Sequence, residues 1–415
     1  MLPLPRLPWS MRLANRVGTA LRTVGVPLGA LDETAVLEAA HRRTGLDDFG
    51  DDGCRDGLRR LLRAWDEEAV LTPVGRALAR RQALDLLESR LRMRQEWTRH
   101  PEIGAGEVRA PIFVLGLPRT GTSILHELLA QDPENRVPMT WEVMWPWPPP
   151  ERATFDTDPR IGRAERHFAG IERMLPEFKR MHPTGAQFPQ ECVALMAHDF
   201  ASLLFHTTHR IPSYQAWLDG IDWRPVYASH RRQLQYLQWR APAVRWVLKS
   251  PGHLWTLDAL LAQYPDARIV QTHRDPLRVI ASLASLVSYL RGMASDHVDP
   301  LEIGADWTVR LAAGLTHTLD VRARGLLPAS QVFDVQFRDF VGREVETIRR
   351  LYAHFGLTLS AEAETRMRRF LAANPKDKHG AHRYTLADAG LDPATERRRY
   401  ARYREHHAVA SESEA

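Results

Sequence analysis

The sequence predicts an α/β protein: a P-loop-type parallel sheet of about four to five strands flanked by helices, with an N-terminal helical extension and a helical insertion. Short, continuous apolar runs alternate with helix-like segments, as in a sheet covered on both faces. The first run ends in a glycine-rich turn that opens the next helix. Hydrophobic residues make up 44% and charged residues 26% of the 415 residues, which excludes a disordered chain.

Four strands are predicted, each followed by a helix. The strands are predicted at 111–115, 244–248, 268–272 and 331–335, and the helices at 121–131, 253–263, 276–290 and 343–354. The stretch 151–243 interrupts this alternation and reads as a mainly helical insertion, in which Glu191 to Thr207 is predicted to be one helix. We expect three regions: a helical extension packed on the core at 1–108, the α/β domain at 109–400 and a tail at 401–415.

One helix of the extension has a two-sided pattern. Apolar residues recur at spacings of three and four, with arginines elsewhere on the helical wheel: Leu13, Val17, Leu21 and Val24 against Arg12, Arg16 and Arg22. The pattern predicts a helix packed on the main domain. The alternative is a basic helix at a membrane surface.

Charge and cysteine content narrow the class of protein. The formal charge of +5 is mild for this length and suits an anionic small molecule as well as nucleic acid, for which no module is recognisable. Cys54 and Cys192 are too few for a disulfide framework or a thiolate zinc site. No apolar run reaches the roughly 20 residues of a membrane span, and the first ten residues lack the apolar stretch of a secretory signal. We expect a cytoplasmic protein without an integral membrane segment.

The segment from Gly116 to Ser123, directly after the first strand, has the glycine spacing of a P-loop. Backbone amides of such a turn, with the following helix N-terminus, cradle an anion. A turn that uses glycine only for its geometry is the alternative. The lysine of nucleotide triphosphatases is replaced by Thr122, and Arg119 is the cation within the loop. The loop therefore predicts phosphate binding without triphosphate or magnesium chemistry.

Residues 118–123 closely resemble the 5′-phosphosulfate loop of sulfotransferases that use 3′-phosphoadenylyl sulfate (PAPS). The resemblance, which covers about residues 110–400, implies that the loop holds PAPS through Arg119, Thr120, Gly121, Thr122 and Ser123. Arg274 and Ser282 match the family's pair for the 3′-phosphate. A weaker match at 374–384 implies that a segment closing over the nucleotide adds Lys378, Gly380, His382 and Arg383.

The resemblance also implies the catalytic groups. Lys249, at the end of the second strand, would stabilise the leaving group with Arg119 beside it, so that no metal is expected. Three residues compete as the base for the acceptor. Glu142 ranks first, because a glutamate at a similar distance after the loop serves in the distantly similar tyrosylprotein sulfotransferases. His253 ranks second, although it lies further beyond its lysine than the family's histidine, and Glu191 ranks third.

The sequence thus predicts transfer of a sulfuryl group from PAPS to a hydroxyl or amine of a small-molecule, lipid or glycan acceptor. The alternatives are P-loop phosphoryl transfer, opposed by the missing lysine, and a catalytically silent nucleotide-binding or scaffold protein, opposed by Lys249. A stiff aromatic segment either walls the acceptor site or packs as a structural loop; it contains Trp141, Trp145 and Trp147. The sequence does not predict an oligomeric state.

Overall fold

A five-stranded parallel sheet in the order β2-β3-β1-β4-β5 lies at the centre of the computed structural model. The structure describes residues 4–25, 29–50, 52–174, 185–374 and 385–412. The strands are β1 (Ile112–Gly116), β2 (Asn135–Arg136), β3 (Arg245–Lys249), β4 (Arg268–His273) and β5 (Val332–Gln336). The predicted fold class and all four predicted strands are confirmed. The sequence missed β2 because its two residues are polar and form no apolar run.

Helices cover both faces of the sheet. Alternate side chains of β1 enter two different hydrophobic clusters: Phe113 and Leu115 belong to one, Ile112 and Val114 to the other. This alternation is the side-chain period of a strand buried on both sides. It explains why the predicted run had no polar positions.

The extension before the sheet is helical. Its helices are α1 (Trp9–Thr23), α2 (Glu33–Thr44), α3 (Asp52–Glu67) and α4 (Pro73–Arg99). α1 contacts α4, but through the side opposite its apolar residues. Leu13, Val17 and Val24 are at least half exposed, whereas Gly18 on the other side is buried and Asn15 Oδ1 accepts a hydrogen bond from Val74 N of α4.

Helices also fill the chain between β1 and β3. They are α5 (Thr122–Leu129), α6 (Thr140–Met144), α7 (Pro159–Met174), α8 (Cys192–Met196), α9 (Leu203–Thr208), α10 (Pro212–Gly220) and α11 (Arg224–Gln238). The single helix predicted from Glu191 to Thr207 is wrong. Phe200 adopts a left-handed φ of 52°, and Tyr214 hydroxyl donates to Phe200 O while accepting from Ser202 N. These contacts hold a break between α8 and α9.

The remaining helices follow β3, β4 and β5. They are α12 (Leu257–Gln263), α13 (Pro276–Gly292), α14 (Pro300–Ala323), α15 (Phe337–Phe340), α16 (Glu344–His354), α17 (Ala361–Ala373), α18 (Pro393–Arg399) and α19 (Ala401–His406). The helix predicted at 253–263 begins only at Leu257, because Pro251–Leu254 forms a separate 3-10 turn. Across the described residues, no helix combines the length and apolar character needed to cross a membrane.

Candidate active site

Three neighbouring strands bring the predicted site residues to one edge of the sheet. Parallel β3, β1 and β4 lie side by side, so their carboxyl ends meet there. These ends carry Lys249, Gly116 and Arg274 respectively. The chain passes from β3 across β1 to reach β4, and such a reversal of strand order creates a crevice in which α/β proteins bind ligands.

The loop after β1 is fixed to β4. Gly116 has a φ of 154°, and a Cβ atom there would lie 2.8 Å from Thr272 O and collide with Thr272 Oγ1. Thr120 Oγ1 donates to Leu117 O at 2.6 Å and also hydrogen-bonds Thr272 Oγ1 at 2.6 Å. Arg119 and Gly121 adopt left-handed φ values of 66° and 91°. The loop is therefore a preformed turn, and the identity of its first glycine is required by the close approach of β4.

The turn leads directly into α5, whose first backbone N–H groups are left without a side-chain cap. Gly121 is the N-cap residue and has no side chain to bond the first-turn N–H groups, which lack partners within a helix. These donors and the helix dipole favour an anion at this end. Ser123 is exposed there, whereas Thr122 is buried. The loop thus fits a phosphate but carries no lysine for a triphosphate.

Lys249 joins the loop to the helical region that follows it. Its Nζ donates to Ser123 Oγ at 3.3 Å and to Glu191 Oε1 at 2.5 Å. The Lys249 side chain is only 5% exposed, whereas that of Glu191 is 19% exposed. A nearly buried cation therefore lies between an anion-binding helix start and a carboxylate that solvent reaches.

Glu191 is held in place by the two residues before it, Pro189 and Gln190, which we call the strap. Glu191 is the N-cap residue of α8, yet its carboxylate makes no cap hydrogen bond. The strap pairs with the chain before α6. Gln190 N donates to Pro138 O at 2.7 Å, and Pro189 forms an isolated antiparallel β-bridge with Met139. The strap directs the carboxylate to Lys249 and leaves its own helix uncapped.

Glu142, ranked first as the base, has a different environment. Its side chain is fully buried; Oε2 accepts from Arg136 Nη2 at 2.6 Å and Oε1 accepts from Met139 N at 2.9 Å. Burial raises the pKa of Glu142, while the Arg136 guanidinium acts in the opposite direction. Both oxygens are engaged, so Glu142 stabilises the turn against which the strap packs. The structure does not bring it to Lys249.

His253, ranked second, lies within the core. Its Nδ1 shares a hydrogen bond with Tyr227 hydroxyl at 2.7 Å, and its ring meets Phe113 edge-on at a centroid distance of 5.1 Å. Burial lowers the pKa of His253 well below its ordinary value, with a smaller contribution from His230. The imidazole is therefore fully buried and paired with Tyr227.

Arg274 already binds an anionic group. Its Nε and Nη2 donate to the two oxygens of Glu412 at 2.9 and 2.8 Å, and its Nη1 donates to Arg119 O at 2.8 Å. The guanidinium stacks 4.0 Å from the Phe337 ring centre, and Glu412 N donates to Asp275 Oδ2 at 2.9 Å. The C-terminal tail thus presents a carboxylate to the arginine that the sequence assigned to the 3′-phosphate.

The remaining predicted nucleotide contacts are Ser282, which the structure describes, and four residues that it does not. Ser282 lies half-buried about two turns into α13, the helix that Asp275 caps. Four predicted contacts fall outside the described residues: Lys378, Gly380, His382 and Arg383.

Sequence reasoning missed three residues around these groups. Thr272 could have been suspected, because it is the last residue of a predicted strand, and Phe337 lies two residues beyond the strand predicted at 331–335. Glu412 carried no signal, since an acidic residue in a polar tail is ordinarily solvated.

The tryptophan segment is packed. Trp141 is fully buried, with Arg160 4.6 Å above its ring, and Trp145 stacks with Arg163 at 4.1 Å. Trp147 Nε1 donates to Glu96. These contacts favour the structural interpretation of the segment over an acceptor wall.

One group among the described residues has the side-chain types of a metal site. The ligand atoms of His273, Asp334 and His407 lie within 4.8 Å of one another. Asp334, however, is paired with Arg322 Nη2 at 2.6 Å, and His273 Nδ1 is bonded to Tyr403 hydroxyl. A guanidinium on the carboxylate opposes a second cation, so this group does not fit a metal.

Known proteins are similar to this chain in both sequence and architecture. A family profile described as "Sulfotransferase family" matches residues 111–361, more than half of the chain. The omega-hydroxy-beta-dihydromenaquinone-9 sulfotransferases Stf3 of Mycobacterium bovis and Mycobacterium tuberculosis are each 26% identical over 298 residues, covering 68% of this chain and 71% of theirs.

Two crystal structures superimpose over nearly the whole chain. Sulfotransferase STF1 from Mycobacterium tuberculosis is 34% identical with a TM-score of 0.80, covering 90% of this chain and 100% of its own. Sulfotransferase STF9 from Mycobacterium avium is 30% identical with a TM-score of 0.85, covering 92% of this chain and 98% of its own.

Proposed function

Because the chain belongs to the sulfotransferase family, we propose that it transfers the sulfuryl group of PAPS to the hydroxyl of a lipid or other small acceptor. The position of Lys249 carries this proposal: Nζ lies 3.3 Å from Ser123 Oγ at the start of α5 and 2.5 Å from Glu191 Oε1. An anion-binding helix start, a cation and a carboxylate meet at one edge of the sheet. They supply what sulfuryl transfer requires without a metal.

The two anionic ends of the donor match two features of this edge. The 5′-phosphosulfate would lie in the loop, against the uncapped amides of α5. The 3′-phosphate would replace the Glu412 carboxylate on Arg274, because both anions accept the paired hydrogen bonds of a guanidinium. Ser282 would add a hydroxyl donor. The resemblance supplies the remaining proposed contacts: Lys378, Gly380, His382 and Arg383.

Glu191 is the base in this proposal. As the acceptor oxygen bonds to sulfur, Glu191 takes its proton. The bond between sulfur and the bridging oxygen breaks, and its electron pair stays on the 5′-phosphate of the departing 3′,5′-adenosine bisphosphate, where Lys249 stabilises the charge. Arg119, exposed within the loop, would neutralise the sulfuryl oxygens. Without donor, Lys249 and Glu191 neutralise each other; a phosphosulfate would draw the ammonium away and release the carboxylate.

The acceptor class rests on the relatives. Stf3 is named for a hydroxylated menaquinone derivative, a lipid alcohol, and it matches 68% of this chain. We therefore rank a lipid alcohol ahead of a glycan or an amine. Phosphoryl transfer is not favoured, because the residue in the position of the triphosphatase lysine is the buried, uncharged Thr122. A silent scaffold would have no need of the Lys249–Glu191 pair.

An acceptor screen tests the function. Purified protein is incubated with PAPS and hydroxylated lipids, glycans and amines, and each product is read by mass spectrometry for the added SO₃ group. We expect sulfated lipid alcohols with the unmodified chain and far less product with Lys249→Ala. Transfer of a phosphoryl group from ATP, or no sulfated product from any class while 3′,5′-adenosine bisphosphate still binds, would contradict the proposal.

A further inference from the structure

The outward side of α1 is apolar along its whole length. Trp9, Leu13, Val17, Leu21 and Val24 are 71, 50, 51, 39 and 75% exposed. Their spacing of three and four residues aligns them in a single stripe. We call this set the α1 stripe. Exposed apolar residues gathered in one patch mark an interaction surface, whereas scattered ones are ordinary.

The stripe has a fixed orientation on the molecule. On the opposite side of α1, Gly18 is buried and Asn15 Oδ1 accepts from Val74 N at 2.9 Å, at the first turn of α4. Before the helix, Pro5 packs against Gly292, the last residue of α13. The helix is therefore docked through one side, and its apolar side faces away from the protein.

Positive charge accompanies the stripe. Arg6, Arg12, Arg16 and Arg22 are exposed, and the first acidic residue of the sequence is Asp32. In the described part of the chain, no carboxylate forms an ion pair with any of these four arginines. Arginines nearby behave differently, since both Arg55 and Arg59 bind Glu33. The segment that carries the stripe thus has exposed cations available to an external anion.

We propose that α1 docks this protein on an anionic lipid bilayer. A helix with an apolar side ending in tryptophan, flanking arginines and no acidic residue has the composition of helices that lie in the membrane interface. The arginine stems can follow the apolar side inward while their guanidinium groups stay at the phosphates. Each basic residue near an anionic surface strengthens binding about fivefold. The inference does not depend on the acceptor, although it would bring a lipid acceptor within reach.

Vesicle sedimentation tests this docking. The full chain is mixed with vesicles of phosphatidylcholine alone or with added phosphatidylglycerol, at low and high salt. We expect binding to the anionic vesicles that weakens at high salt. The variant Leu13→Gln/Val17→Gln/Leu21→Gln should lose it by about tenfold or more. The matched variant Val309→Gln/Leu326→Gln, which changes exposed apolar residues outside α1 (52 and 47% exposed), should bind as the unmodified chain does.

Other outcomes would overturn the proposal. They are absence of vesicle binding, equal binding by both variants, or equal binding to neutral and anionic vesicles. A dimer in sedimentation velocity that the α1 variant alone converts to a monomer would assign the stripe to a second copy of the chain. Titration with 3′,5′-adenosine bisphosphate separates this test from the proposed function: the α1 variant should bind the nucleotide normally, which also establishes that it is folded.

Discussion

The ammonium of Lys249 and the carboxylate of Glu191 meet at 2.5 Å, although they come from different parts of the fold. Lys249 ends β3 in the core of the sheet, whereas Glu191 precedes α8 in the helical region between β1 and β3. The lysine is nearly buried and the glutamate is partly open to solvent. In the proposed mechanism, the sheet would supply the cation for the leaving group and the helical region would supply the base.

Glu191→Gln should abolish most activity. The amide keeps the size of the side chain and an oxygen toward Lys249 but cannot take a proton. We expect kcat to fall about 10²-fold or more, the usual contribution of general base catalysis, with unchanged affinity for 3′,5′-adenosine bisphosphate. Steady-state kinetics and titration calorimetry measure the two quantities.

The matched control is Glu142→Gln, the other glutamate that the sequence offered as the base. Because it leaves Arg136 buried without its carboxylate, it should lower the free energy of unfolding by about 3 kcal/mol and leave kcat of the folded enzyme nearly unchanged. Loss of kcat in Glu142→Gln, together with full activity in Glu191→Gln, would reverse the assignment.

Lys249→Ala should separate chemistry from donor binding. The variant removes the cation that stabilises the developing charge on the bridging oxygen, so kcat should fall about 10²- to 10³-fold. The product nucleotide lacks the sulfuryl group, and its affinity should change little. An equal loss of nucleotide affinity and of kcat/KM would mean that Lys249 serves binding alone.

Arg274 and Glu412 should control selectivity for the 3′-phosphate. Arg274→Ala removes paired charge-assisted hydrogen bonds, so affinity for 3′,5′-adenosine bisphosphate should fall about tenfold or more, toward that for 5′-AMP. Glu412→Gln should tighten binding of the bisphosphate, because it removes the competing anion, and leave 5′-AMP unaffected. Weaker binding of the bisphosphate in Glu412→Gln would mean that the tail supports the site instead of competing for it.

Gly116→Ala should disrupt the loop. A methyl group at a φ of 154° is strained and collides with Thr272, which together should cost about 3 kcal/mol or more and weaken nucleotide binding. Gly356→Ala is the control for strain alone, because Gly356 has a φ of 63° with no atom within 4 Å of the added Cβ. In thermal denaturation we expect Gly116→Ala to unfold at a clearly lower temperature than Gly356→Ala. Equal stability of both would argue against the close approach of β4.

The sequence was most informative where burial dictates residue type. The strand runs are apolar because helices cover both faces, and the loop glycine is required by Thr272. Pairings between distant segments left no local pattern, so the contact of Glu412 with Arg274 was not foreseen. The sequence could not separate the candidate bases for a related reason: Glu142 and Glu191 differ in what surrounds them, since Glu142 pairs with Arg136 and Glu191 with Lys249.

The stripe of α1 illustrates a further limit. Periodicity reports that a helix has an apolar side but not whether that side faces the protein. In α1 the small Gly18 and the polar Asn15 pack inward, and the large apolar residues face out.

Titration calorimetry of the unmodified protein with 3′,5′-adenosine bisphosphate, beside ATP with magnesium, tests the central claim most directly. The loop without a lysine and the anion-binding Arg274 predict that the bisphosphate binds at least about tenfold more tightly than ATP with magnesium. Tighter binding of ATP with magnesium, or no binding of the bisphosphate, would contradict the account.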